Sequence, residues 1–184
     1  MASFEESFDH GLGALSHTWT DGGHIDTGSG QVTLKGEAIA MMHPGGSDTG
    51  FGYGKYEFEA SMSPDQKGPA ILLWPGDDKW PGPEYDIVEV IDGHAYGAVH
   101  WNDNGHDAYT TRTFDGVDES QTHTYGITWQ EGRIDYYVDG QHYGSVTENV
   151  GNDHAHGGVN MVPSIMSGGD AELTVYKFTY DAVW

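Results

Sequence analysis

Apolar and polar residues alternate along much of this chain with a period of two, and no convincing helical periodicity interrupts them. In residues 54–61, Tyr56, Phe58 and Ala60 alternate with charged side chains. This pattern is typical of an antiparallel strand with one buried face. Residues 70–74 are apolar throughout, which indicates a buried strand.

Turn residues between the apolar runs divide the chain into ten or more short strands. The predicted strands lie at 31–35, 37–42, 54–61, 70–74, 96–101, 108–114, 122–129, 133–138, 141–147, 158–166 and 171–180, with one more after Pro83. Asp139-Gly140 is a strong signal for a two-residue hairpin. Residues 1–30 are polar and Gly-rich, and we expect an irregular wrap with one short strand there.

The abundance of glycine supports an all-β fold. Glycine accounts for 28 of 184 residues, well above the usual ~7%. Because neither a linker nor a repeat is visible, we expect a single domain over residues 1–184. The fold class that fits is a β-sandwich jelly roll of two antiparallel sheets, of the concanavalin A-like kind.

The net charge of the chain limits the classes of partner that it can bind. The formal net charge is -22, from 29 acidic and 7 basic residues. Such a field repels phosphate backbones and anionic lipids, so we expect neither nucleic acid nor a membrane as a partner. No run approaches the ~20 apolar residues of a membrane span, and the N-terminus has no visible signal peptide. The chain has no cysteine, so thiol chemistry is excluded.

Three carboxylates stand close together in residues 80–90. In a regular strand Glu84 and Asp86 share a face, whereas Glu89 points to the opposite one. A β-bulge of one extra residue would bring all three onto one face, and bulges are common beside active sites. Like charges on a buried face are unfavourable unless their proton affinities differ. The motif therefore indicates an acid/base site.

A solvated strand face in an acidic protein is the alternative interpretation of this motif. The neighbours of the carboxylates argue against it, because Ile87, Val88 and Val90 are too apolar for an edge strand. Pro81 and Pro83 fix the entry of the chain into the strand. We therefore expect the carboxylates to lie in a largely buried strand.

Flat aromatic rings near the motif suit stacking against a cyclic ligand. The candidates for substrate binding are Trp74, Trp80, Trp101 and Tyr109. For Trp80 and Trp101, which are flanked by Pro, Gly, Asn and Asp, we favour a position in the cleft. For Trp129 and Trp184 we favour packing in the core.

The 11 histidines invite a metal interpretation. His154 and His156 would share a strand face, but they lie in a Gly-rich polar loop without an obvious third ligand. We therefore predict no metal site from them.

The motif and its flanks resemble glycoside hydrolase family 16, the β-jelly-roll enzymes related to laminarinases, lichenases and agarases. The matching segments are Trp80-Pro81, the E-x-D-x-x-E run at 84–89, and residues 52–57, 68–74, 99–100, 123–125 and 137–140. The resemblance extends from about residue 30 to the C-terminus. The Trp-Pro segments are similar to those of bacterial members that trim exopolysaccharides.

The resemblance implies a role for each carboxylate. Glu84 would be the nucleophile, Asp86 the assisting carboxylate and Glu89 the acid/base of a retaining, double-displacement mechanism. For that cycle Glu84 must be ionised, held so by hydrogen bonds, while Glu89 is protonated. His100 would bind substrate beside them. The resemblance implies no required cofactor, but it allows a structural calcium ion at Asp181.

Two residues depart from the family pattern. Tyr85 stands where an aliphatic residue is usual, and Glu59 stands near a substrate-facing arginine of many members. Both departures affect the expected subsite preferences and not the catalytic carboxylates.

The leading interpretation is a monomeric endo-β-glycanase that acts on a polysaccharide outside the cell or in the periplasm. The substrate would be a β-1,3- or β-1,3/1,4-glucan or a related bacterial exopolysaccharide. A non-catalytic, lectin-like binding module is the alternative, since jelly rolls also host lectins. A polysaccharide lyase is a third class, but with 7 basic residues the chain is poorly equipped to neutralise a uronate.

Overall fold

The computed structural model describes residues 2–64 and 66–182, and nearly all of its regular structure is β-strand. Its strands are β1 (Ser3–Glu6), β2 (His17–Thr20), β3 (His24–Gly28), β4 (Gln31–Lys35), β5 (Ala38–Met41), β6 (Gly54–Met62), β7 (Ala70–Pro75), β8 (Glu84–Ile91), β9 (His94–Asp103), β10 (His106–Thr113), β11 (His123–Gln130), β12 (Arg133–Val138), β13 (Gln141–Val146), β14 (Met161–Ser167) and β15 (Glu172–Asp181). One 3-10 turn, His154–His156, interrupts the loop before β14.

Within the described residues the strands form two antiparallel sheets. The seven-stranded sheet has the order β10-β9-β8-β7-β14-β5-β2, and the eight-stranded sheet has the order β13-β12-β11-β6-β15-β4-β3, with β1 added on β15. The two sheets enclose one apolar core. The predicted β-sandwich jelly roll is confirmed, and β8 lies inside its sheet, as its apolar sequence predicts.

The core fills the space between the sheets with side chains from the alternating strands. In β6 the buried positions include Tyr56, Phe58 and Ala60, as the alternation predicts. Trp129 is fully buried, which confirms its predicted place in the core. Trp184, for which the same place is predicted, lies outside the described residues.

Two tight hairpins set the register of their strands. Asp139 and Gly140 both have positive φ, 50° and 79°, the type I′ geometry that the Asp-Gly pair favours. Asn104 and Gly105, with φ of 52° and 89°, make the equivalent turn between β9 and β10.

The first thirty residues contain more structure than the sequence predicts. They hold β1, β2 and β3 instead of one short strand. These strands are short and β2 is exposed at every position. β1 and β2 are defined by pairing with β15 and β5, which are not their neighbours in the chain, and β3 forms a hairpin with β4. Among the described residues, no helix is long and apolar enough to cross a lipid bilayer.

Candidate active site

The three predicted carboxylates lie together because β8 contains a β-bulge. Its register against β7 shifts so that Ile87 has no partner there. The register against β9 shifts at the same place, between Asp86 and Glu89. One extra residue returns Glu89 to the side of Glu84 and Asp86. The predicted bulge is confirmed, and the face that carries the three acids is called the cleft face below.

The other side of β8 anchors it in the core. Tyr85 is buried, packs against Trp129 and accepts a hydrogen bond from the backbone N–H of Gly151 at 3.1 Å. Tyr85 therefore faces away from the cleft, and its predicted influence on subsite preference is wrong. Opposite the bulge, a Cβ at Gly97 would lie 2.2 Å from the ring of Tyr136, so only glycine allows this packing.

His100 on β9 joins two carboxylates across the cleft face. Its Nε2 lies 2.9 Å from Asp86 Oδ2 and 3.9 Å from Glu84 Oε1. Its Nδ1 lies 2.9 Å from Asp107 Oδ1, on β10. Asp86 is almost completely buried, with 1% of its surface exposed. Asp107, His100 and Asp86 therefore form one hydrogen-bonded relay that ends beside Glu84.

The two contacts of His100 fix its protonation state. An ionised carboxylate can only accept hydrogen bonds, so both ring nitrogens must donate and the ring is an imidazolium. Burial alone lowers the pKa of His100, but its hydrogen bonds and charge interactions with Asp86 and Asp107 raise that pKa to about 9. His100 therefore supplies one positive charge to the acidic cluster at neutral pH.

The surroundings of Glu84 and Glu89 raise the pKa of both carboxyls. Burial is the largest cause in each case, followed by the charge of Asp86. A protonated Glu84 also hydrogen-bonds Asp86, which raises the Glu84 pKa further. Two residues lower the pKa of Glu89: Tyr96, which stands opposite it in the register, and His100. Burial and the charge of Asp86 outweigh them, so the pKa of Glu89 is raised overall.

These directions correct one expectation. Glu89 has the predicted high proton affinity, but hydrogen bonds do not hold Glu84 ionised. Its neighbour is another acid, Asp86, whose charge adds to the effect of burial and raises the pKa of Glu84.

Three of the four predicted aromatic residues surround the relay. The rings of Trp74 and Trp80 stack with centroids 5.1 Å apart and planes 19° apart. Trp80 also lies 5.8 Å from the ring of His100, and Tyr109 lies 5.4 Å from that ring on its β10 side. Trp80 and Tyr109 are 43% and 63% exposed, so their faces are accessible to a ligand.

Trp101 and Glu59 do not lie where the sequence suggests. Trp101 follows His100 in the regular strand β9, so its side chain leaves the opposite face of the sheet. Its polar neighbours reflect the end of the strand and not the cleft. Glu59 lies on β6 in the eight-stranded sheet and is exposed. It therefore lies on the sheet that does not carry the three acids.

Two cavities flank the carboxylates along the cleft face. A cavity of about 440 Å³ borders Glu84 and is lined by Ile39, Met41, Leu72, Trp74, Asp78, Glu84, Ser164 and Met166. A cavity of about 500 Å³ borders Glu89 and is lined by Tyr96, His100, Tyr109 and neighbouring residues of β8, β9 and β10. The acids thus stand between two open binding spaces. A ligand long enough to fill both would cross them.

Three side chains of the potential metal-ligand types lie together in the cleft, and His100 contacts both carboxylates of this group. Glu84, Asp86 and His100 are the one group of three such side chains among the described residues. Both nitrogens of His100 already contact carboxylates, which accounts for this grouping without a metal ion. The structural calcium ion at Asp181 stays a prediction, because Asp181 belongs to no such group and would need backbone carbonyl ligands.

The predicted absence of a metal site at the two loop histidines also stays a prediction. His156 Nδ1 lies 2.6 Å from the buried Asp153 and His154 Nδ1 lies 3.1 Å from Ser47 Oγ. A cavity of about 580 Å³ beside them shares no lining residue with the cleft. Its buried carboxylate is held by the backbone N–H of Tyr53 and by His156, so these contacts serve the fold.

Sequence reasoning missed Asp107 and Tyr96. Asn104-Gly105 could have revealed the first, because a two-residue turn fixes the register of β9 against β10 and brings Asp107 beside His100. Tyr96 could have been found only with the bulge in place, since the bulge sets Tyr96 opposite Glu89.

The fold and the site together define a class of protein. An antiparallel sandwich carries a cleft across one sheet, with two half-buried glutamates of raised pKa at its centre and aromatic rings beside them. These features are typical of a glycoside hydrolase.

Comparison with protein families agrees with this class. The model of the glycosyl hydrolases family 16 matches residues 15–182, and the chain belongs to that family. A curated relative, the endo-1,3-1,4-beta-glycanase ExsH of Rhizobium meliloti (strain 1021), is 38% identical over 92 residues. The match covers 47% of this chain and 19% of that protein. The chain thus matches only about a fifth of the length of this relative.

Solved structures share the fold. The beta-glucanase of Bacillus licheniformis superposes with a TM-score of 0.66 at 19% identity, covering 98% of both chains. The laminarinase catalytic domain of Thermotoga maritima gives a TM-score of 0.65 at 19% identity, covering 96% of both chains. At this identity the likeness concerns the fold alone.

Proposed function

We propose that this chain is a retaining endo-β-glycanase that hydrolyses a β-1,3- or β-1,3/1,4-glucan or a related bacterial exopolysaccharide. One observation carries the proposal: the bulge in β8 sets Glu84, Asp86 and Glu89 on one face, between two cavities. A cleft open on both sides of the acids suits cutting inside a chain. The relative named as an endo-1,3-1,4-beta-glycanase supports the substrate class.

In the first step Glu89 donates its proton to the glycosidic oxygen while a Glu84 carboxylate oxygen attacks the anomeric carbon. The carbon–oxygen bond to the leaving sugar breaks, and a covalent glycosyl-enzyme forms. In the second step Glu89 takes a proton from water, the water oxygen attacks the same carbon, and Glu84 leaves as a carboxylate. This cycle returns both residues to their initial protonation states.

His100 offsets part of the repulsion within the acid cluster. Glu84 can attack only as a carboxylate, yet its surroundings raise its pKa. The imidazolium of His100 lies 2.9 Å from Asp86 Oδ2 and 3.9 Å from Glu84 Oε1, so it keeps a positive charge beside both acids. His100 thus favours the carboxylate form of Glu84 that the attack requires.

The aromatic pair and the acidic surface suit a neutral glycan. Trp74, which stacks on Trp80, lines the Glu84 cavity, and Tyr109 lines the Glu89 cavity. We propose that the chain acts as a monomer outside the cell or in the periplasm, where polymeric glycans of this kind are found.

The test is reducing-end release from laminarin, barley mixed-linkage glucan, agarose and bacterial exopolysaccharides. We expect cleavage of one of them, its loss in Glu84→Gln, and full activity in Glu59→Gln, an exposed acid of the other sheet. The first product observed by NMR should keep the β-anomeric configuration. Initial release of the α-anomer would contradict the retaining mechanism, and retention of the protein on a glycan without cleavage would favour the binding module.

A further inference from the structure

The exposed aromatic residues are not scattered over the molecule. Among residues 2–64 and 66–182, three large hydrophobic side chains are exposed: Trp19 at 54%, Trp80 at 43% and Tyr109 at 63%. Two of them border the catalytic cluster. Trp19 is far from it in sequence and has no part in the site described above. Its position decides whether it is an isolated surface residue or part of the same cleft.

The strand register sets Trp19 on the cleft face. β2 pairs antiparallel with β5, and Trp19 stands directly opposite Ile39 while His17 stands opposite Met41. Residues directly opposite in an antiparallel pair have their side chains on the same face. Ile39 and Met41 line the cavity that borders Glu84. The indole of Trp19 therefore continues the floor of that cavity to the edge of the sheet.

The distance along the sheet corresponds to several sugar units. From β8 to β2 the order is β8-β7-β14-β5-β2, which makes four strand spacings. The registers place Trp19 level with Glu89. Each spacing is ~4.8 Å, close to the length of one pyranose in an extended chain, so Trp19 lies roughly 19 Å, or about four sugar residues, across the sheet from the strand of the acids. Tyr109, on β10, stands near the opposite edge. Aromatic side chains thus mark both edges of the sheet that bears the acids.

The chemistry around Trp19 suits a neutral glycan. β2 reads His17-Thr18-Trp19-Thr20 and carries no carboxylate. The rings of His17 and His43 lie 4.3 Å apart beside it and offer polar groups for sugar hydroxyls. A flat, half-exposed indole next to hydrogen-bonding side chains can take the apolar face of a pyranose ring.

We propose that Trp19 is a distal carbohydrate-binding platform that makes the cleft select chains long enough to reach from Glu84 to the edge of the sheet. This inference rests on the proposed glycanase function, because Trp19 would set the preference of the glycanase cleft for long glycans. A glycan that reaches Trp19 gains one stacking contact, whereas a shorter one gains nothing from it.

The experiment measures binding by calorimetry to the Glu84→Gln protein, with and without Trp19→Ala. The ligands are size-fractionated fragments, from trimer to octamer, of the panel polysaccharide that the wild type cleaves. If the wild type cleaves none, the fragments come from the polysaccharide that it binds most tightly. We expect Trp19→Ala to weaken binding of the longest fragments roughly 3- to 10-fold, the worth of one aromatic contact, and to leave the trimer unchanged.

Two further variants complete the test. Thr18→Ala, on the opposite face of the same strand, should change no affinity, and Trp19→Tyr should restore most of the loss. In the active enzyme, Trp19→Ala should raise KM for the polymer and leave kcat unchanged. Equal weakening for short and long fragments, no weakening for any, or no glycan binding by the Glu84→Gln protein would overturn the platform. If the wild type binds a glycan without cleaving it, the proposed glycanase function is wrong. The dependence of affinity on fragment length would still test the binding role of Trp19.

Discussion

Two of the buried aspartates that contact a histidine, Asp135 and Asp86, have opposite surroundings. Asp135, on β12 in the eight-stranded sheet, is 6% exposed and accepts hydrogen bonds from Arg133, His142 and Ser145. Burial alone raises the pKa of Asp135, but these hydrogen bonds and the charge of Arg133 hold that pKa well below its usual range. In the cleft, Asp86 has one imidazolium neighbour, which it shares with Asp107.

The difference teaches what decides the role of a buried acid. Asp135 is one carboxylate with several donors, so its charge is satisfied and it stabilises the fold. Glu84, Asp86, Glu89 and Asp107 are four acids around the single cation of His100. Their charges are not all satisfied, and the pKa values of Glu84 and Glu89 rise. That arrangement is unfavourable for stability and suits proton transfer.

The largest expected effect comes from Glu84→Gln. If Glu84 is the nucleophile, kcat/KM on the cleaved polysaccharide should fall at least ~10³-fold. The folded-state pKa of Glu84 is raised above its unfolded value of ~4.3, so the wild type loses stability as pH rises above that value. The amide has no such dependence. In thermal unfolding from pH 5 to 8, the Glu84→Gln variant should therefore have a higher melting temperature than the wild type. A lower melting temperature of the variant would contradict this account.

Asp135→Asn should have the opposite effect. It leaves the Arg133 donors without a charged partner, and we expect the free energy of unfolding to fall by about 2–4 kcal/mol at pH 7 with activity per folded molecule unchanged. A depressed folded-state pKa gives stability above the unfolded pKa of ~3.9 that is lost as pH falls further. Urea unfolding at pH 7 and at low pH measures the loss of stability and its dependence on pH. The Asp26→Asn variant, at an exposed position, is the control. An equal loss of stability at both pH values would contradict the assignment.

Asp107→Asn should change the protonation of His100. Without that neighbouring charge, the pKa of His100 should fall from about 9 by about one unit or more. A histidine with a raised pKa in the folded state contributes stability that is complete below the unfolded pKa of ~6.5 and is lost as pH rises through the folded pKa. The Asp107→Asn variant should therefore lose this stability at a lower pH than the wild type. NMR titration of the imidazole measures the shift. Asp103→Asn, in the same hairpin, is the control, and the same shift there would contradict a specific relay.

The smallest effect is expected from Tyr96→Phe. The Tyr96 hydroxyl lowers the pKa of Glu89 by hydrogen bonding, so its removal should raise that pKa. If Glu89 is the general acid, the alkaline limb of kcat/KM should move to higher pH by less than ~1 unit. Tyr137→Phe, on the eight-stranded sheet, should leave the profile unchanged. Movement to lower pH would contradict this role of Glu89.

Local patterns in the sequence predict most of the fold and the centre of the site. Alternation locates β6, and the spacing of Glu84, Asp86 and Glu89 predicts the bulge. The sequence could not reveal β2, since it is exposed at every position and depends on pairing with β5. It could not assign the face of Trp101, because polar neighbours mark strand ends as well as clefts.

The proton balance of the site was also beyond local reasoning. Glu84, Asp86 and Glu89 are neighbours in the chain, and their mutual repulsion can be predicted. Which acid receives the imidazolium depends on the register of β9 against both β8 and β10. The expectation that hydrogen bonds hold Glu84 ionised fails there, because His100 lies 2.9 Å from Asp86 and 3.9 Å from Glu84.

The bulge at Ile87 has a consequence for how this strand can change in evolution. Removing one residue from a regular strand turns every later side chain to the other face, which exposes the core. Removing Ile87 would instead convert E-x-D-x-x-E into E-x-D-x-E, and a regular strand would then carry all three acids on one face. Within β8, the bulge is therefore the place where a single-codon deletion preserves the orientation of the acids, at the expense of one core side chain.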